Sequence, residues 1–326
     1  MKTEILPATA SNCVSAAVAF LRNGEAIALP TETVYGLAAD ALREDSVLKI
    51  FQAKARPRFD PLIVHLPDAS WVEKVAVIDH GVRELFDRLA KRFWPGPLTF
   101  IVPRHSDISD IVTAGLETVA LRLSAHPVFQ EIITAFGGPL AAPSANRFGR
   151  ISPTAASHVL EELNGLIPLI VDAGPTSHGL ESTIVTLRNG RIEILRRGPI
   201  TQEQLADFAE VCVVGATANP EAPGQLPSHY APRTRLILVD DASAADLPPD
   251  KRGGLLSWKT KADARFAEVR LLSARQDLSE AATNLFRLLR ELDACHLDLI
   301  VAEQVPEQRL GAAINDRLRR AAANAG

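Results

Sequence analysis

Basic side chains that could bind a phosphorylated ligand are concentrated in one short segment. Within FQAKARPRFDPLIVHL (residues 51–66), Lys54, Arg56 and Arg58 fall within five residues, between a predicted helix and a predicted strand. Closely spaced cations of this kind form charge-assisted hydrogen bonds with phosphate oxygens. Two prolines in the segment restrict its backbone, which favours a fixed anion-binding geometry. The simpler alternative is a solvated helix end whose cations complement the helix dipole.

A second segment, PLAAPSANRFGRISPT (residues 139–154), carries small polar side chains after an apolar run. Ser144 and Asn146 precede a glycine turn, and Ser152 precedes Pro153 at the predicted start of a helix. Small hydroxyl and amide groups beside backbone N–H donors suit a phosphate or a ribose. A structural alternative is that Ser152 caps a helix beginning at Pro153. The sequence contains neither a GxxxxGKS/T nor a GxGxxG motif.

Thr31, Glu32 and Thr33 follow a short apolar run in the segment LPTETVYGLAADA (residues 29–41). Ligands of open α/β sheets bind at strand ends, so these side chains could form part of a site. Capping of a turn or helix explains the same residues equally well. Thr31 and Glu32 receive no role from the sequence, and His65, at the end of another apolar run, by itself indicates a core histidine.

Polar pairs also flank a predicted β-hairpin. Ser182 and Thr183 lie at the start of its first strand, and Arg196 and Arg197 follow its second. Turn chemistry or ligand binding would account for either pair. The chain has no GxSxG motif, and no Ser/His/Asp triad can be inferred from its spacing, so no nucleophilic serine is predicted.

The composition limits the function classes. The chain has 326 residues, a net charge of -4 and a pI near 6.1, which argues against a basic surface for binding nucleic acid. Cys13, Cys212 and Cys295 are far apart and the histidines show no HExxH spacing, so neither a zinc site nor a redox dithiol is predicted. The uncharged run from Ile5 to Leu21 contains several polar residues and is interpreted as an amphipathic helix, not a signal or membrane segment, which favours a cytoplasmic protein.

Alternating periodicities predict strands interspersed with helices, and therefore an α/β fold. An Asn-Gly turn joins two strands into an antiparallel hairpin, so the main sheet should be mixed, twisted and open. The predicted helices of the first part are Ser11–Arg22, Ser46–Ala53, Val82–Phe93, Pro127–Phe136 and Gln202–Ala209. Its predicted strands are Ala26–Leu29, Leu62–His65, Leu98–Val102, Val119–Arg122, Leu140–Ala142, Leu169–Val171, Thr183–Leu187 and Ile192–Leu195.

Composition also predicts two domains. Four prolines and a glycine occur close together between 216 and 232, most of them in APGQLPSHYAP, as in a linker. The sequence therefore predicts a first domain over 1–210, a linker over 211–233, and a small α/β Rossmann-like domain over 234–326. The predicted elements of that domain are strands at 235–239, 254–258, 269–272 and 297–302 and helices at 277–292 and 312–322.

Several motifs, taken together, resemble a known family. PTETVYGL, KARPRFDPLIVH, FWPGPLTFIV, TVALRLSAHP, PLAAPSANRFGRISPT, DAGPTSHGLESTIV and LRRGPIT occur in the order found in the YrdC-like domain of threonylcarbamoyl-AMP synthases. The resemblance covers about Gly24 to Thr201, and the linker with the small α/β unit resembles the two-domain form of that family. Each motif alone is weak, but their number and order are specific.

The resemblance implies an enzyme that joins L-threonine, bicarbonate and ATP into threonylcarbamoyl-adenylate and releases pyrophosphate, a nucleotidyltransferase acting before the modification of tRNAs that read ANN codons. The implied L-threonine site comprises Thr33, His65, Arg122, the backbone of Ala142, and Ser182. The implied ATP site comprises Lys54, Arg56, Asp60, Thr118, Ser144, Asn146, Ser152 and Arg196, with Tyr230 of the linker folding over the nucleotide. Lys54 and Arg56 are the expected catalytic cations.

One position departs from the family pattern. Asp60 stands where the family more often has asparagine, which places a negative charge near the phosphates unless it binds a metal or the ribose. The chemistry of nucleoside triphosphates favours Mg²⁺ on the phosphates, although no all-protein metal site is visible. Hand-over of the product to downstream threonylcarbamoyl-transfer proteins is an expected partnership, while direct tRNA binding is left open.

Two other functions are compatible with parts of the sequence. An RNA-binding module with a concave basic face would use the same cations, but the net acidity and an aromatic content of 5% argue against base stacking. A carbamoyltransferase-like YrdC protein is a third interpretation, weakened because the larger carbamoylating enzymes carry additional domains. Arg56 is expected on a mobile polar segment rather than in a core, and His65 is a candidate general base only by its position.

Overall fold

The structure is a computed structural model that describes residues 2–215, 222–223, 230–248, 250–259 and 263–323. It divides into two compact units, each built from discontinuous segments. The first comprises Met1–Phe148, Pro153–Ser177 and Glu181–Leu226, and the second comprises Gly149–Ser152, His178–Leu180 and Pro227–Gly326. The domain limits expected from the sequence, at 210 and 234, stay a prediction.

The first unit contains eleven strands and eight α-helices among its described residues. The strands are β1 (Glu4–Pro7), β2 (Ile27–Leu29), β3 (Gly36–Asp40), β4 (Ile63–His65), β5 (Leu98–Pro103), β6 (Thr118–Arg122), β7 (Leu140–Ala141), β8 (Leu169–Asp172), β9 (Thr183–Arg188), β10 (Arg191–Arg196) and β11 (Val211–Val213). The helices are α1 (Cys13–Arg22), α2 (Glu44–Lys54), α3 (Val72–Val75), α4 (His80–Phe93), α5 (Asp110–Thr113), α6 (Pro127–Phe136), α7 (Ala156–Leu163) and α8 (Gln202–Ala206).

The strands of this unit form one mixed sheet in the order β1-β8-β2-β3-β7-β4-β6-β5-β9-β10-β11. Parallel pairs such as β4 with β6 lie beside antiparallel pairs such as β5 with β6. The hairpin of β9 and β10 is antiparallel, as the Asn-Gly turn predicts. The predicted class, a mixed α/β sheet, is therefore confirmed.

Side-chain alternation gives the sheet two different faces. One face packs in the main core, to which Val64 and Leu121 belong. On the opposite face, α1 and α6 cover the strands near β2 and β8 through residues such as Leu21 and Phe129. Further along that face, a small apolar patch lies on β4, β6, β5, β9 and β10, formed by Ile63, Ile101, Ala120, Ile184 and Leu195, with Ala222 packed against it. We call this second face, from β4 to β10, the site face.

The second unit is a smaller α/β layer. Its strands β12 (Leu236–Val239), β13 (Gly253–Ser257), β14 (Glu268–Leu271) and β15 (Leu299–Glu303) pair in parallel in the order β12-β15-β13-β14, together with helices α9 (Leu278–Asp293) and α10 (Leu310–Ala322). Asp277 caps α9 by accepting a 2.8 Å hydrogen bond from the N–H of Glu280. The predicted small α/β unit is confirmed.

Three local expectations are wrong. Residues 4–7 form β1, paired in parallel with β8, and not the start of an amphipathic helix, which begins only at Cys13. Gly36–Asp40 form β3 directly after the Thr-Glu-Thr turn, where no strand was predicted. Helix α7 begins at Ala156 with Ala155 in the cap position, so Ser152 is not its N-cap. For β1 and β3, pairing with a neighbouring strand outweighs the weak local sequence signal. For α7, the Ser-Pro pair does not mark the start of the helix.

Membrane association through a spanning helix has no support in the described residues, since none of their helices combines enough length with enough apolar character to cross a bilayer.

Candidate functional site

Neighbouring strands bring His65 and Arg122 side by side on the site face. The two residues are directly in register on the parallel pair β4 and β6, and Arg122 is also in register with Thr99 on the antiparallel neighbour β5. Both side chains are buried, with 2% and 3% of their residue surface exposed. The continuous sheet therefore places an imidazole, a guanidinium and a hydroxyl in one row, although they come from distant parts of the sequence.

Glu32 is the counter-ion of Arg122. The Nη2 of Arg122 lies 2.7 Å from Oε1 of Glu32, and the hydroxyl of Ser124 donates a 2.5 Å hydrogen bond to Oε2 of the same carboxylate. Burial by itself would raise the pKa of Glu32, but the charge of Arg122 and the Ser124 hydrogen bond outweigh it and lower the pKa to about 2. Glu32 is therefore ionised throughout the neutral range.

The imidazole of His65 is held neutral. Burial, followed by the positive charge of Arg122, lowers its pKa to about 3. The ring packs against Phe129 with centroids 4.8 Å apart, and its Nδ1 has no hydrogen-bond partner among the described residues. His65 can thus accept or donate one hydrogen bond as a neutral group, but it is a weak base.

A tight turn between β2 and β3 places Thr33. The Oγ1 of Thr31 accepts hydrogen bonds from the N–H groups of Thr33 and Val34 at 3.1 and 3.2 Å, and lies 2.8 Å from Oγ1 of Thr33. Thr31 is therefore a turn-stabilising residue, as one of the two interpretations of this segment predicts. Thr33 is fully buried at the same turn.

Ala142 and Ser182 supply further polar groups. The N–H of Ala142 donates to the carbonyl of Ile63 at 2.9 Å, so a substrate contact by its backbone must use the carbonyl. The Oγ of Ser182 lies 2.7 Å from Oγ1 of Thr99 and accepts a 3.0 Å hydrogen bond from Nη2 of Arg196. Ser182 is thus connected to the row that contains Arg122.

A β-bulge sets the direction of Arg196. The register between β9 and β10 shifts between Ile194 and Arg196, so two consecutive residues, Leu195 and Arg196, are accommodated against one residue of β9. Leu195 packs in the apolar patch, and Arg196 donates through Nε to the carbonyl of Ser182 at 3.0 Å. The bulge thereby presents a packing side chain and a cation from adjacent positions.

Lys54 links the end of α2 to the Ser-Ala-Asn loop. Its Nζ donates to the carbonyls of Ser144 and Asn146, each at 2.5 Å, and the N–H of Phe148 donates back to the Lys54 carbonyl at 2.9 Å. The side chain is 1% exposed, and burial together with the neighbouring charge of Arg56 lowers its pKa well below the ordinary range. Two predicted ATP-binding segments are therefore joined through one lysine.

Arg56 and Asp60 form a buried ion pair within the next turn. Nη2 of Arg56 lies 2.8 Å from Oδ2 of Asp60, and the guanidinium also donates to the carbonyls of Asp60 and Pro61 at 3.1 and 2.9 Å. The expectation that Arg56 lies outside a core is wrong, since only 8% of its surface is exposed, whereas Arg58 two residues later is exposed. Asp60 neutralises part of the basic cluster.

Three predicted ATP residues are not part of the Lys54, Arg56 and Asp60 cluster. One lies at the far end of β6, and two belong to the second unit. Thr118 is partly exposed at the opposite end of β6 from Arg122, roughly 13 Å along the strand. Ser152 and Tyr230 belong to the second unit, where Tyr230 is 1% exposed, stacks on Phe286 with ring centroids 5.6 Å apart, and has the Arg317 guanidinium 5.0 Å from its ring. Their roles in binding ATP stay predictions. Most of the linker lies outside the described residues.

The sequence assigned no role to Glu32, and it gave no indication of Thr99 or Ser124 as site residues. A threonine within the otherwise apolar strand β5 and an acidic residue beside two threonines were the available signals. Neither identifies a partner, because Glu32 and Ser124 are 92 residues apart and meet only through the sheet.

The described residues contain no group of three or more His, Cys, Asp or Glu side chains able to hold a metal. What they provide instead is an electrically balanced cluster, with a positive Arg122, a negative Glu32 and a neutral His65, and a second cluster rich in cations, formed by Lys54, Arg56 and Arg196 around Asp60. The first suits a small zwitterion and the second suits a polyanion.

Two family models match the chain. A model of the Sua5, YciO and YrdC group, described as telomere recombination, matches residues 19–198, and a model described as the threonylcarbamoyl-AMP synthase C-terminal domain matches residues 200–323. Together they account for both units.

Curated relatives and a crystal structure agree with these matches. The threonylcarbamoyl-AMP synthase of Bacillus subtilis is 40% identical over 95% of this chain and 92% of its own length, and that of Pyrococcus abyssi is 39% identical over 94% and 92%. The crystal structure of P. abyssi Sua5 complexed with L-threonine superposes with a TM-score of 0.88 at 36% identity, covering 99% of this chain and 98% of that one. The resemblance inferred from the motifs is confirmed, and the chain belongs to the threonylcarbamoyl-AMP synthase family.

Proposed function

We propose that this protein is an L-threonylcarbamoyladenylate synthase, a nucleotidyltransferase that forms threonylcarbamoyl-AMP and pyrophosphate from L-threonine, bicarbonate and ATP. The observation that carries this proposal is the position of Arg196. Its guanidinium binds Ser182 in the row that contains Arg122, and its charge also acts on Asp60 in the basic cluster. A zwitterion site and a polyanion site therefore share one cation, as a reaction between an amino acid and a nucleotide requires.

The reaction needs no protein nucleophile. The deprotonated amine of threonine can attack the carbon of bicarbonate, with loss of water, to give the carbamate. Alternatively, bicarbonate first loses hydroxide to give CO2, the amine adds to CO2, and the hydroxide takes up the amine proton to give water. A carbamate oxygen then attacks the α-phosphorus of ATP as the bond to pyrophosphate breaks. Positioning the two reactants and stabilising developing negative charge are each worth several kcal/mol in general.

The side chains divide these tasks. Arg122 would hold the threonine carboxylate, for which its planar fork is suited, with Thr33, the Ala142 carbonyl and Ser182 around the rest of the amino acid. Lys54, Arg56 and Arg196 would bind the triphosphate and stabilise the charge that moves to pyrophosphate. Ser144 and Asn146, on the loop that Lys54 fixes, and Ser152 and Thr118 would complete the nucleotide site.

His65 is poorly suited to act as the general base. With a pKa of about 3, its lone pair is available at neutral pH but binds a proton weakly. On the route through CO2, the hydroxide lost from bicarbonate is a stronger base that could take up the amine proton. His65 is better suited to a hydrogen bond with the substrate hydroxyl or carbamate.

Magnesium would enter with the nucleotide. The chemistry of nucleoside triphosphates favours a Mg²⁺ ion that neutralises phosphate charge, and such ions are commonly held by one or two carboxylates plus phosphate oxygens. Asp60 fits that limited role, because its two carboxylate oxygens accept no aligned hydrogen bond from the described residues. The surrounding cations weaken this fit, so phosphate oxygens would supply most of the ligands.

Burial of the cations argues against the RNA-binding alternative. Lys54, Arg56 and Arg196 are between 1% and 8% exposed, whereas a polynucleotide groove presents its cations along an accessible surface. No described feature favours the carbamoyltransferase alternative. The product would pass to downstream threonylcarbamoyl-transfer proteins of the cytoplasm, which act on tRNA, and the linker with Tyr230 would close over bound ATP.

Pyrophosphate release tests the proposal directly. We expect it to require ATP, L-threonine and bicarbonate together, with threonylcarbamoyl-AMP detectable by mass spectrometry. Unchanged release after omission of L-threonine would refute the synthase activity. For the linker, cleavage between Gly215 and Pro220 should impair turnover, and full activity of an isolated fragment from Met1 to Gly215 would contradict closure by the linker.

A further inference from the structure

Buried polar atoms without aligned partners are concentrated around Arg122. Among the described residues, Nε and Nη2 of Arg122, Nδ1 of His65 and Oε1 of Glu32 accept or donate no hydrogen bond of normal geometry, and each atom is inaccessible to solvent. Nη2 of Arg122 lies 2.7 Å from Oε1 of Glu32 as an ion pair, whereas Nε of Arg122 and Nδ1 of His65 have no such partner among the described residues. A buried polar group without a partner costs about 1–3 kcal/mol, so these atoms indicate a bound ligand.

The two oxygens of Glu32 differ in their surroundings. Oε2 accepts the 2.5 Å hydrogen bond from Ser124, whose own carbonyl is held by Nε2 of Gln130 at 2.7 Å. The main chain of Glu32 is fixed separately, because the hydroxyl of Ser177 donates to its carbonyl at 3.1 Å. The carboxylate is therefore anchored through Oε2, and Oε1, which faces Nη2 of Arg122 at 2.7 Å, has a second lone pair that can accept another donor.

The charges of the cluster match an amino acid. Arg122 is positive, Glu32 is ionised and His65 is neutral, so the cluster has no net charge and offers one site for each end of a zwitterion. A carboxylate bound by Nε and Nη2 of Arg122 would leave the ammonium group on the side of Oε1. A substrate with a carboxylate but no ammonium group would leave Glu32 buried and without a full partner, which is costly.

We propose that Oε1 of Glu32 accepts a hydrogen bond from the ammonium group of the amino-acid substrate, which makes Glu32 a specificity-determining residue for an α-amino group. This role rests on the proposed function, because it assumes that the cluster binds L-threonine. It assigns to Glu32 a contact separate from the carboxylate contact of Arg122. It also fixes the amine in place before it reacts with bicarbonate.

Calorimetric binding of three ligands to the full chain tests this assignment. The ligands are L-threonine, 2,3-dihydroxybutanoate, in which a hydroxyl replaces the amine, and threoninol, which lacks the carboxylate. They are compared in the wild type, in Glu32→Gln and in Glu25→Gln. Glu25 is a suitable control because its carboxylate is partly exposed and pairs with Lys49 at 2.8 Å.

We expect the wild type to prefer L-threonine over the hydroxyl analogue by about tenfold to a hundredfold, the size of a hydrogen bond between charged groups. Glu32→Gln should reduce this preference to a few-fold, and Glu25→Gln should leave it unchanged. The preference for L-threonine over threoninol should persist in Glu32→Gln, since it depends on Arg122. A variant that only disturbed Arg122 would lose both preferences together.

The outcomes distinguish failure of the proposed function from failure of the role of Glu32. Absence of L-threonine binding by the wild type would refute the proposed function. Binding of L-threonine with equal preference for the amine in wild type and Glu32→Gln would overturn the role of Glu32 alone. If Glu32→Gln does not fold, Glu32→Asp replaces it, because the shorter side chain keeps the charge but withdraws Oε1. Equal affinity of the wild type for L-threonine and its hydroxyl analogue would overturn the role without any variant.

Discussion

The Nη2 of Arg56 lies 2.8 Å from Oδ2 of Asp60, and both side chains are almost fully buried, with 4% and 1% of the side-chain surface exposed. Burial raises the pKa of Asp60 even though Arg56, Lys54 and Arg196 all act to lower it. The carboxylate therefore stands among the cations proposed to bind phosphates. In the absence of a nucleotide it compensates part of their mutual repulsion, and in its presence it opposes the triphosphate.

Replacing Asp60 by asparagine should strengthen nucleotide binding. Asp60→Asn keeps a carbonyl oxygen for Arg56 but removes the negative charge, so the affinity for a non-hydrolysable ATP analogue should rise about fivefold to thirtyfold, or roughly 1–2 kcal/mol. Calorimetry at constant salt measures this. The control is Asp45→Asn, whose carboxylate is exposed and pairs with Arg43. Weaker binding by Asp60→Asn would instead indicate that Asp60 binds a metal together with ATP.

Truncation of Arg56 should affect both folding and activity. Arg56→Ala removes a buried guanidinium that holds the carbonyls of Asp60 and Pro61, and leaves the Asp60 carboxylate without its ion-pair partner. The free energy of unfolding should fall by about 2–4 kcal/mol, and turnover should fall at least tenfold.

The neighbouring Arg58→Ala provides the comparison, since Arg58 is exposed two residues away. It should change the free energy of unfolding by less than about 0.5 kcal/mol. Chemical denaturation and steady-state kinetics on the same preparations separate the two effects. Wild-type turnover in Arg56→Ala would contradict the assigned phosphate contact.

His65 should remain neutral across the range in which enzymes are usually assayed. Its pKa in the folded protein is about 3, below the ordinary value of 6.5 that applies to the unfolded chain. The unfolded chain therefore binds more protons between these values, and His65 lowers stability as the pH falls from about 6.5 to about 3. Nitrogen NMR of labelled histidine measures this. A His65 resonance that titrates near pH 6.5 would contradict the buried, neutral assignment.

Glu303 should be important for the stability of the second unit. Its carboxylate, at the end of β15, accepts hydrogen bonds from the N–H groups of Ala242, Trp258 and Lys259 and from the hydroxyl of Ser257, at 2.8–3.0 Å. Although burial acts to raise its pKa, these donors lower it to about 2. Because the folded pKa lies below the unfolded value near 4.5, the stabilisation is present above that value and is lost as the pH falls towards 2.

Glu303→Gln should therefore destabilise this unit by about 1–3 kcal/mol at neutral pH, because an amide N–H₂ replaces an acceptor that faces N–H donors. Hydrogen exchange should show faster exchange in β12, β13 and β15 and little change in the first unit. Glu307→Gln is the matched control, since Glu307 is half exposed and pairs with Arg319 at 2.7 Å. Equal exchange in wild type and Glu303→Gln would show that the carboxylate is dispensable.

Helices with strong signals at both ends were predictable from the sequence, whereas strands that depend on distant partners were not. The predicted helix Pro127–Phe136 agrees with α6, because a proline at its first position and Gly137 at a φ of 81° after its last residue are both local signals. The strands β1 and β3 were missed, since four or five residues acquire strand geometry through pairing with β8, β2 and β7, which are far away in the sequence or beyond a turn. Long-range pairing of this kind leaves little local trace.

The candidate site was predictable as a set of residue types but not as a set of contacts. Motif order identified Arg122 and Arg196, yet the pairing of Arg122 with Glu32 depends on a turn meeting a strand 90 positions later. The bulge at Leu195 breaks the alternation of β10, so counting every second residue could not have indicated the direction of Arg196. Buried charge pairs and bulges depend on contacts between residues that are distant in sequence, so no short sequence pattern predicts them.

The strand order of the sheet also determines when the site can exist during synthesis. Residues of β4, β6 and β5 become adjacent early, but Ser182 and Arg196 reach this row only after β9 has paired with β5. Closing these long loops delays the final contacts relative to local helix formation. A nascent chain that already contains Glu32 and His65 is therefore incapable of binding both reactants. Recovery of ligand binding during refolding should report the completion of the sheet, and should lag behind the return of helical signal.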